Sequence, residues 1–372
     1  MSKPKLRIGL IGTGFMGKAH VFGFTSAPRV FDLPYDLELH TVADITAESA
    51  ARAAAALGFA KSTADWRQIA EDPDIDVVDI TAPNALHKEI ALAGIGAGKH
   101  VYCEKPLAPT ASDAREMAEV AEARGIKTQV GFNYLCNPML GLAREMISAG
   151  ELGDIRGYRG IHCEDYMADA SKPFTFRHDP AGGGALADIG SHALATAEFL
   201  CGPITGVMGN CVTMIRERPD GRGGTRRIEV DDVGRAFLRF KNGATGSIEG
   251  NWIATGRKMQ HDFEIYGTKG ALAFSQEHFN ELHFFSTSDG RGRQGFRRIE
   301  AGPDHAPYGL FCVAAGHQLG FNDLKTIEVA GYVEAIAGKR PEPFNFRAGL
   351  RIQTLLETIQ ASSRSQTWME VK

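Results

Sequence analysis

Little in this chain could build a disulfide frame, a structural metal centre or a membrane anchor. Its 372 residues hold six cysteines, at positions 103, 136, 163, 201, 211 and 312, with no Cys-x-x-Cys and no close Cys/His cluster. In a chain of this size that scatter reads as reduced thiols in a cytoplasm, and no metal is expected. Positive charge is outweighed by negative: 41 Lys and Arg against 45 Asp and Glu leave a net charge of -4, which provides no field for nucleic acid. No apolar run approaches the length of a membrane span. The start, Met-Ser-Lys-Pro-Lys, leads into a strand rather than a signal sequence, so neither membrane nor export is expected. Internal repeats and low-complexity tracts are also missing. What remains is a soluble composition, 43% hydrophobic and 23% charged, long enough for two domains with separate cores.

Residues 1–131 read as a dinucleotide-binding fold. Leu6 to Ile11 is a strand-length apolar run that meets Gly12-Thr-Gly14-Phe15-Met16-Gly17 and then a helical segment through Phe24. Gly12 permits a tight turn, Gly14 lets the backbone approach a pyrophosphate, and Gly17 lets helix and strand pack closely, with Phe15 and Met16 in the same turn. Amides at that helix start suit phosphates. A second strand, Leu37 to Asp44, ends in an acid that lies further on than the usual spacing of about 20 residues. A loop from Ala27 to Asp36, carrying Pro28 and Pro34, accounts for the extra length. Asp44 would bond both ribose hydroxyls and repel a 2′-phosphate, and Ile45 and Thr46 supply no cation, so NAD is expected over NADP. The competing reading is that Asp44 caps the next helix, although Thr46 can serve there itself.

The alternation continues with helices at 47–57, 65–70, 85–97 and 110–124 and strands at 75–80, 99–103 and 127–130, a doubly wound parallel sheet. Thr81, Pro83 and Asn84 follow a strand and face the cofactor; His87 is either a contact or a first-turn residue without a role. Glu104-Lys105-Pro106 ends another strand. A lysine there sits at the crevice where ligands bind in open α/β sheets, and Pro106 stops the strand.

Residues 132–372 read as a second, α+β domain that binds substrate and assembles subunits. A helix is expected from Met139 to Ala149. Gly182 to Gly184 form a flexible entry to a helix from Ala185 to Leu200, on which Asp188 and His192 stand four apart on one face. A carboxylate beside an imidazole raises its basicity and fixes its orientation. Apolar Leu186, Ile189 and Leu194 argue that the pair faces a cleft. After Gly202 come short strands at 206–215, 233–241, 245–252, 261–266, 271–274, 282–286 and 296–299, which predict a large, mostly antiparallel sheet. Arg216 to Arg227 reads as an exposed hairpin tip. Helices are expected from Ala315 to Ala337 and Phe346 to Ser362. Arg177 and His317 carry polar groups suited to ring hydroxyls, with a cap or a loop salt bridge as the equal alternative for each.

Gly12-x-Gly14-Phe-Met-Gly17, Thr81-Ala-Pro-Asn84-x-x-His87 and Glu104-Lys105-Pro106-Leu-Ala together resemble the Gfo/Idh/MocA family of oxidoreductases, over essentially the whole chain. The resemblance implies that Lys105, Asp188 and His192 surround the reacting hydroxyl. Asn133 and Tyr134 are plausible lining groups, but Leu135 stands where members often have arginine. The run from His305 to Tyr308 and from Asn322 to Lys325 resembles the branch that oxidises cyclic polyols and sugars. It implies scyllo-inositol or L-glucose as substrate, with myo-inositol, levoglucosan or an NAD-dependent glycosidase reaction as alternatives. A symmetric oligomer, a tetramer, is implied too. His192 is assigned as general base, Asp188 as its holder and Lys105 as hydrogen-bond donor to the substrate oxygen; the alternative gives the proton to Lys105.

Overall fold

The apolar run that opens the chain becomes β1 (Lys5–Ile11) in the computed structural model, which describes residues 3–371. There follow α1 (Phe15–Val30), β2 (Asp36–Ala43), α2 (Ala47–Leu57), β3 (Lys61–Thr63), α3 (Arg67–Glu71) and β4 (Val77–Ile80). The series ends with α4 (His87–Gly96), β5 (His100–Cys103), α5 (Ala111–Ala123) and β6 (Thr128–Val130). The six strands pair in parallel in the order β3-β2-β1-β4-β5-β6. Helical crossovers cover both faces of such a sheet, which is why β4 is buried at every residue. Strand order reverses between β1 and β4, and this reversal opens a crevice at their carboxyl ends.

Two local expectations fail here. The first helix runs to Val30, through Pro28, because Phe24 and Ala27 are buried with Leu33 and Val329 and hold the last turns in place. The edge strand β3 was not expected; three polar residues give no periodic signal, and pairing with Thr41 to Ala43 creates it.

The chain forms two compact units. The first takes the residues up to Cys136 and a return segment, Gly320–Gln353, that a boundary at 131/132 does not include; the second takes Asn137–Leu319 and the residues from Thr354 on. The second begins with α6 (Pro138–Ser148) and β7 (Ile155–Cys163), then a π-helical turn (Leu186–Gly190) that runs into α7 (Ser191–Cys201). After β8 (Ile204–Val212), a separate hairpin of β9 (Glu217–Pro219) and β10 (Thr225–Arg227) precedes β11 (Val233–Phe240) and β12 (Thr245–Asn251). Strands β13 (Gln260–Gly267), β14 (Gly270–Ser275), β15 (Glu281–Ser286) and β16 (Arg297–Glu300) lead to a short α8 (Tyr308–Phe311). The return segment carries α9 (Phe321–Ile336), packed on α1, and the start of α10 (Phe346–Ser365); β17 (Met369–Glu370) comes last.

The second sheet has the order β16-β15-β14-β13-β7-β12-β11-β8-β17. Its one parallel pair is β7 with β12. Strand β7 lies at the centre and was not expected, because Arg156, Gly157, Arg159 and Gly160 interrupt its apolar pattern. Inward residues alternate with outward ones, and the outer face leaves Phe237 63% and Tyr266 43% exposed. Three more expectations are corrected. Arg218, in the hairpin read as exposed, is 1% exposed and its guanidinium donates to the carbonyls of Met167 and Asp169. The helix read from Ala315 starts at Phe321: Gly316 and Gln318 have positive φ, and Asp323 caps the amide of Gly320 at 2.7 Å. The helix read from Ala185 opens as a π turn. Among the described residues, no helix is long and apolar enough to cross a membrane.

Candidate active site

The glycine turn behaves as its spacing requires. Gly12 has φ +100°, and a Cβ there would lie 2.7 Å from the carbonyl oxygen of Thr81. A Cβ on Gly17 would meet the Gly12 carbonyl oxygen at 2.3 Å. Gly14 differs: a Cβ there meets no protein atom within 4 Å. Its openness is the property a phosphate-approaching position needs, so this turn fits a dinucleotide. The Thr81 hydroxyl donates to the Gly12 carbonyl at 2.7 Å and braces the turn. Thr46 caps α2, accepting from the amide of Ser49 at 3.1 Å, so Asp44 is not that cap. Its carboxylate instead accepts from the Thr13 hydroxyl and from the amide of Ile45 at 2.7 Å, half-buried at the end of β2. Phe15 is 72% exposed in the turn and stacks on Phe321 at 5.6 Å, which in turn meets Tyr134 at 6.1 Å.

His87 is fully buried, its ring nitrogens 2.9 Å from the Ala82 carbonyl and 3.0 Å from that of Pro106. It clasps the loop of Thr81, Pro83 and Asn84 to the turn after Lys105. Burial pushes its pKa down despite those carbonyls.

Beneath Lys105 lies a buried ion network that sequence reasoning missed. Glu104 Oε1 meets His20 Nε2 at 2.9 Å and Lys325 Nζ at 3.2 Å, while Oε2 accepts from the Lys105 amide at 3.2 Å. His20 Nδ1 bonds Asp79 at 2.8 Å, and Lys325 also donates to Glu328 at 2.6 Å and to the Tyr102 hydroxyl at 3.0 Å. Burial favours the neutral form of Glu104, but Lys325 and His20 hold it well below the usual carboxylate range. For His20 and Lys325 burial again opposes charge, and the carboxylates around them win, raising both pKa values. The carboxylate of Glu104 thus points into the core, and Lys105 extends from a backbone anchored by its neighbour's side chain. The only signal in the sequence was polar residues inside apolar runs, since the fold joins Glu104 to His20, 84 residues before it, and to Lys325, 221 residues after it.

In the second unit, glycines bring the π turn onto the sheet. A Cβ on Gly250 of β12 would lie 2.8 Å from the Cα of Gly190. Asp231 holds the start of this segment, its carbonyl accepting from Ala185 at 2.9 Å and its carboxylate from Leu186 at 2.8 Å. Burial pushes Asp231 up to about 7. Asp188, in the π turn, accepts from the Tyr166 hydroxyl at 2.7 Å and from Arg177 Nε at 2.8 Å. Burial works against the Arg177 charge, but Asp188 outweighs it and raises the pKa; burial, then Asp188, raises Tyr166. So Arg177 is joined to Asp188, and Tyr166 was missed. His192, 6% exposed on α7, lies 5.5 Å from the ring of His162 and 6.1 Å from that of His261.

Asn133 and His317 complete the expected groups. Asn133 is 2% exposed in the first unit with its Nδ2 unbonded, a donor in reserve. His317 lies exposed in the loop before α9, its ring 3.1 Å from the Ala314 carbonyl. Among the described residues no group of three or more His, Cys, Asp or Glu could hold a metal ion.

Comparison with known proteins agrees with these features. Residues 6–132 match the oxidoreductase family with an NAD-binding Rossmann fold, and residues 141–273 match the GFO/IDH/MocA C-terminal domain. Levoglucosan dehydrogenase of Pseudarthrobacter phenanthrenivorans is 38% identical over 98% of both chains. A solved levoglucosan dehydrogenase in complex with NADH and L-sorbose superposes with a TM-score of 0.96 over 99% of each chain, at 38% identity. The scyllo-inositol 2-dehydrogenase (NAD(+)) of Bacillus subtilis is 28% identical over 72% of this chain and 73% of its own. The chain therefore belongs to the Gfo/Idh/MocA family, an NAD-binding oxidoreductase with a Rossmann unit and an α+β unit built on a large mixed sheet.

Proposed function

We propose that this enzyme oxidises a ring hydroxyl of a sugar or cyclic polyol. The observation that carries the reading is Lys105 at the carboxyl end of β5, in the sheet whose β1 turn fits a dinucleotide. NAD supplies the hydride acceptor. Lys105 donates a hydrogen bond to the substrate oxygen, an interaction that strengthens as charge develops there. His192 takes the hydroxyl proton, and Asp188, which accepts from Arg177 and Tyr166, supplies the carboxylate that favours an imidazolium. Asp44 bonds the adenosine ribose.

For the substrate, the expectation from the sequence placed scyllo-inositol and L-glucose first. The near full-length similarity to a levoglucosan dehydrogenase supports the anhydrosugar ahead of them. The test is NADH formation with levoglucosan, scyllo-inositol, L-glucose and myo-inositol, with sugar release assayed in parallel. At least one substrate is expected to yield NADH stoichiometrically. No reaction with NAD or NADP overturns the reading, and sugar release without net NADH would establish the glycosidase reaction instead. Lys105→Ala and His192→Asn are each expected to lower kcat by about 10²–10⁴-fold. The exposed outer face of the second sheet supports self-association, checked by light scattering of wild type and Phe237→Asp.

A further inference from the structure

Three buried histidines meet in the second unit. His162 on β7 and His261 on β13 are direct cross-strand partners in the sheet register. Their rings stack at 4.8 Å with 9° between planes, closer than either ring is to His192. His162, His192 and His261 are 1%, 6% and 3% exposed. Each outer member of the stack is tethered: His162 Nε2 lies 2.9 Å from Glu164 Oε1, and His261 Nε2 lies 3.3 Å from the Thr196 hydroxyl. Thr196 stands one turn after His192 on α7, so the tether of His261 also fixes the helix that carries His192.

Toward α7, β7 turns Tyr158 and His162, β12 turns Ile248 and Gly250, and β13 turns His261, Phe263 and Ile265. Helix α6 turns Met139, Ala143 and Met146 inward and keeps Arg144 and Glu145 outside. Arg159, Glu249, Asp262 and Glu264 alternate onto the far face of the sheet. The charges beside the cluster are Glu164 at one end, Asp188 four residues before His192, and Arg177, which bonds Asp188 at 2.8 Å and also feels Glu164. Burial, and then His162, push His261 well below the ordinary histidine range, so it stays neutral. Two imidazolium charges on adjacent buried rings repel, so charge on His162 disfavours charge on His192 and the reverse.

We propose that the stacked pair His162–His261 positions His192, and that the charge of Glu164, acting through His162, tunes how readily His192 takes a proton. The proposal rests on the reading of His192 as proton acceptor. It adds a carboxylate and two rings, outside the Lys105, Asp188 and His192 set, that tune the base.

The test is a pH titration of histidine ring NMR signals in the full-length protein saturated with NAD, assigned by His162→Gln, His192→Asn and His261→Phe. His261 is expected not to titrate between about pH 5 and 9, and His162 and His192 to titrate as a coupled pair. Glu164→Gln keeps the shape and removes the anion, and is expected to lower the midpoints of that pair by about one pH unit. The limb of kcat/KM that reports the base should move to lower pH by the same amount, with KM for NAD unchanged. His261→Ala, which removes the stacked ring and its tether to Thr196, should lower kcat at least about tenfold with normal NADH binding. Unmoved His162 and His192 midpoints in a Glu164→Gln protein that melts as wild type overturn the proposal. Moved midpoints with an unmoved kinetic limb would instead remove His192 as the base and leave the coupled cluster standing.

Discussion

Under Lys105 the first unit buries an ion network and around His192 the second buries a cluster of imidazoles, and the two handle protons differently. Around Glu104, two cations and three carboxylates are hydrogen-bonded to one another, and Glu104 is held far from titration near neutral pH. Around His192, buried rings stack against a sheet with the Glu164 carboxylate hydrogen-bonded to His162 at the margin. A compensated network is rigid because changing any one charge strands the others. A cluster of adjacent imidazoles, whose ordinary pKa lies near neutral pH, is adjustable. The first arrangement suits a lysine that must stay in place, and the second suits a group that must gain and lose a proton.

The largest expected effect breaks the first half of this comparison. Lys325→Met leaves Glu104 and Glu328 buried without their cation, and should destabilise the protein by about 3–5 kcal/mol in denaturant unfolding. A loss within about 1 kcal/mol would mean that the network is not the anchor described.

Asp231 sharpens the second half. Its folded pKa of about 7 lies above the unfolded value, so the folded state holds a proton that the unfolded state releases. Its stability contribution is complete below the unfolded pKa of about 3.9 and is lost as pH rises towards 7. Asp231→Asn retains an acceptor for the Leu186 amide but cannot ionise. It should be more stable than wild type by roughly 2–4 kcal/mol at about pH 8, with the difference vanishing near pH 4. A pH-independent difference between the two melting curves would show that Asp231 is ionised throughout.

The smallest effect separates packing from binding at the turn. Gly14→Ala should change stability by less than about 0.5 kcal/mol, since its Cβ meets no protein atom, yet weaken NADH binding about tenfold by fluorescence titration. Gly12→Ala, with its left-handed φ and close carbonyl, should lose both.

Much of this was legible in the chain. The glycine turn, Lys105 at the end of β5, the parallel order of the first sheet and the short strands of the second follow from local periodicity and turn chemistry. The boundaries that failed share a cause. Strand β3 is too short and polar to signal itself, β7 owes its place to two neighbouring strands, and Pro28 is carried in α1 by burial of Phe24 and Ala27. Arg218 reads as a surface residue until two carbonyls are brought to it by the fold.

By itself the sequence determined the family, the NAD-binding turn and the residue types offered for catalysis, because each depends on spacings within one strand–turn–helix or one helical face. Only the tertiary structure decided which charges neutralise Glu104 and which rings surround His192. Those partners stand from about 30 to more than 200 residues apart in the chain, and hydrogen bonds and ring contacts act over a few ångströms only.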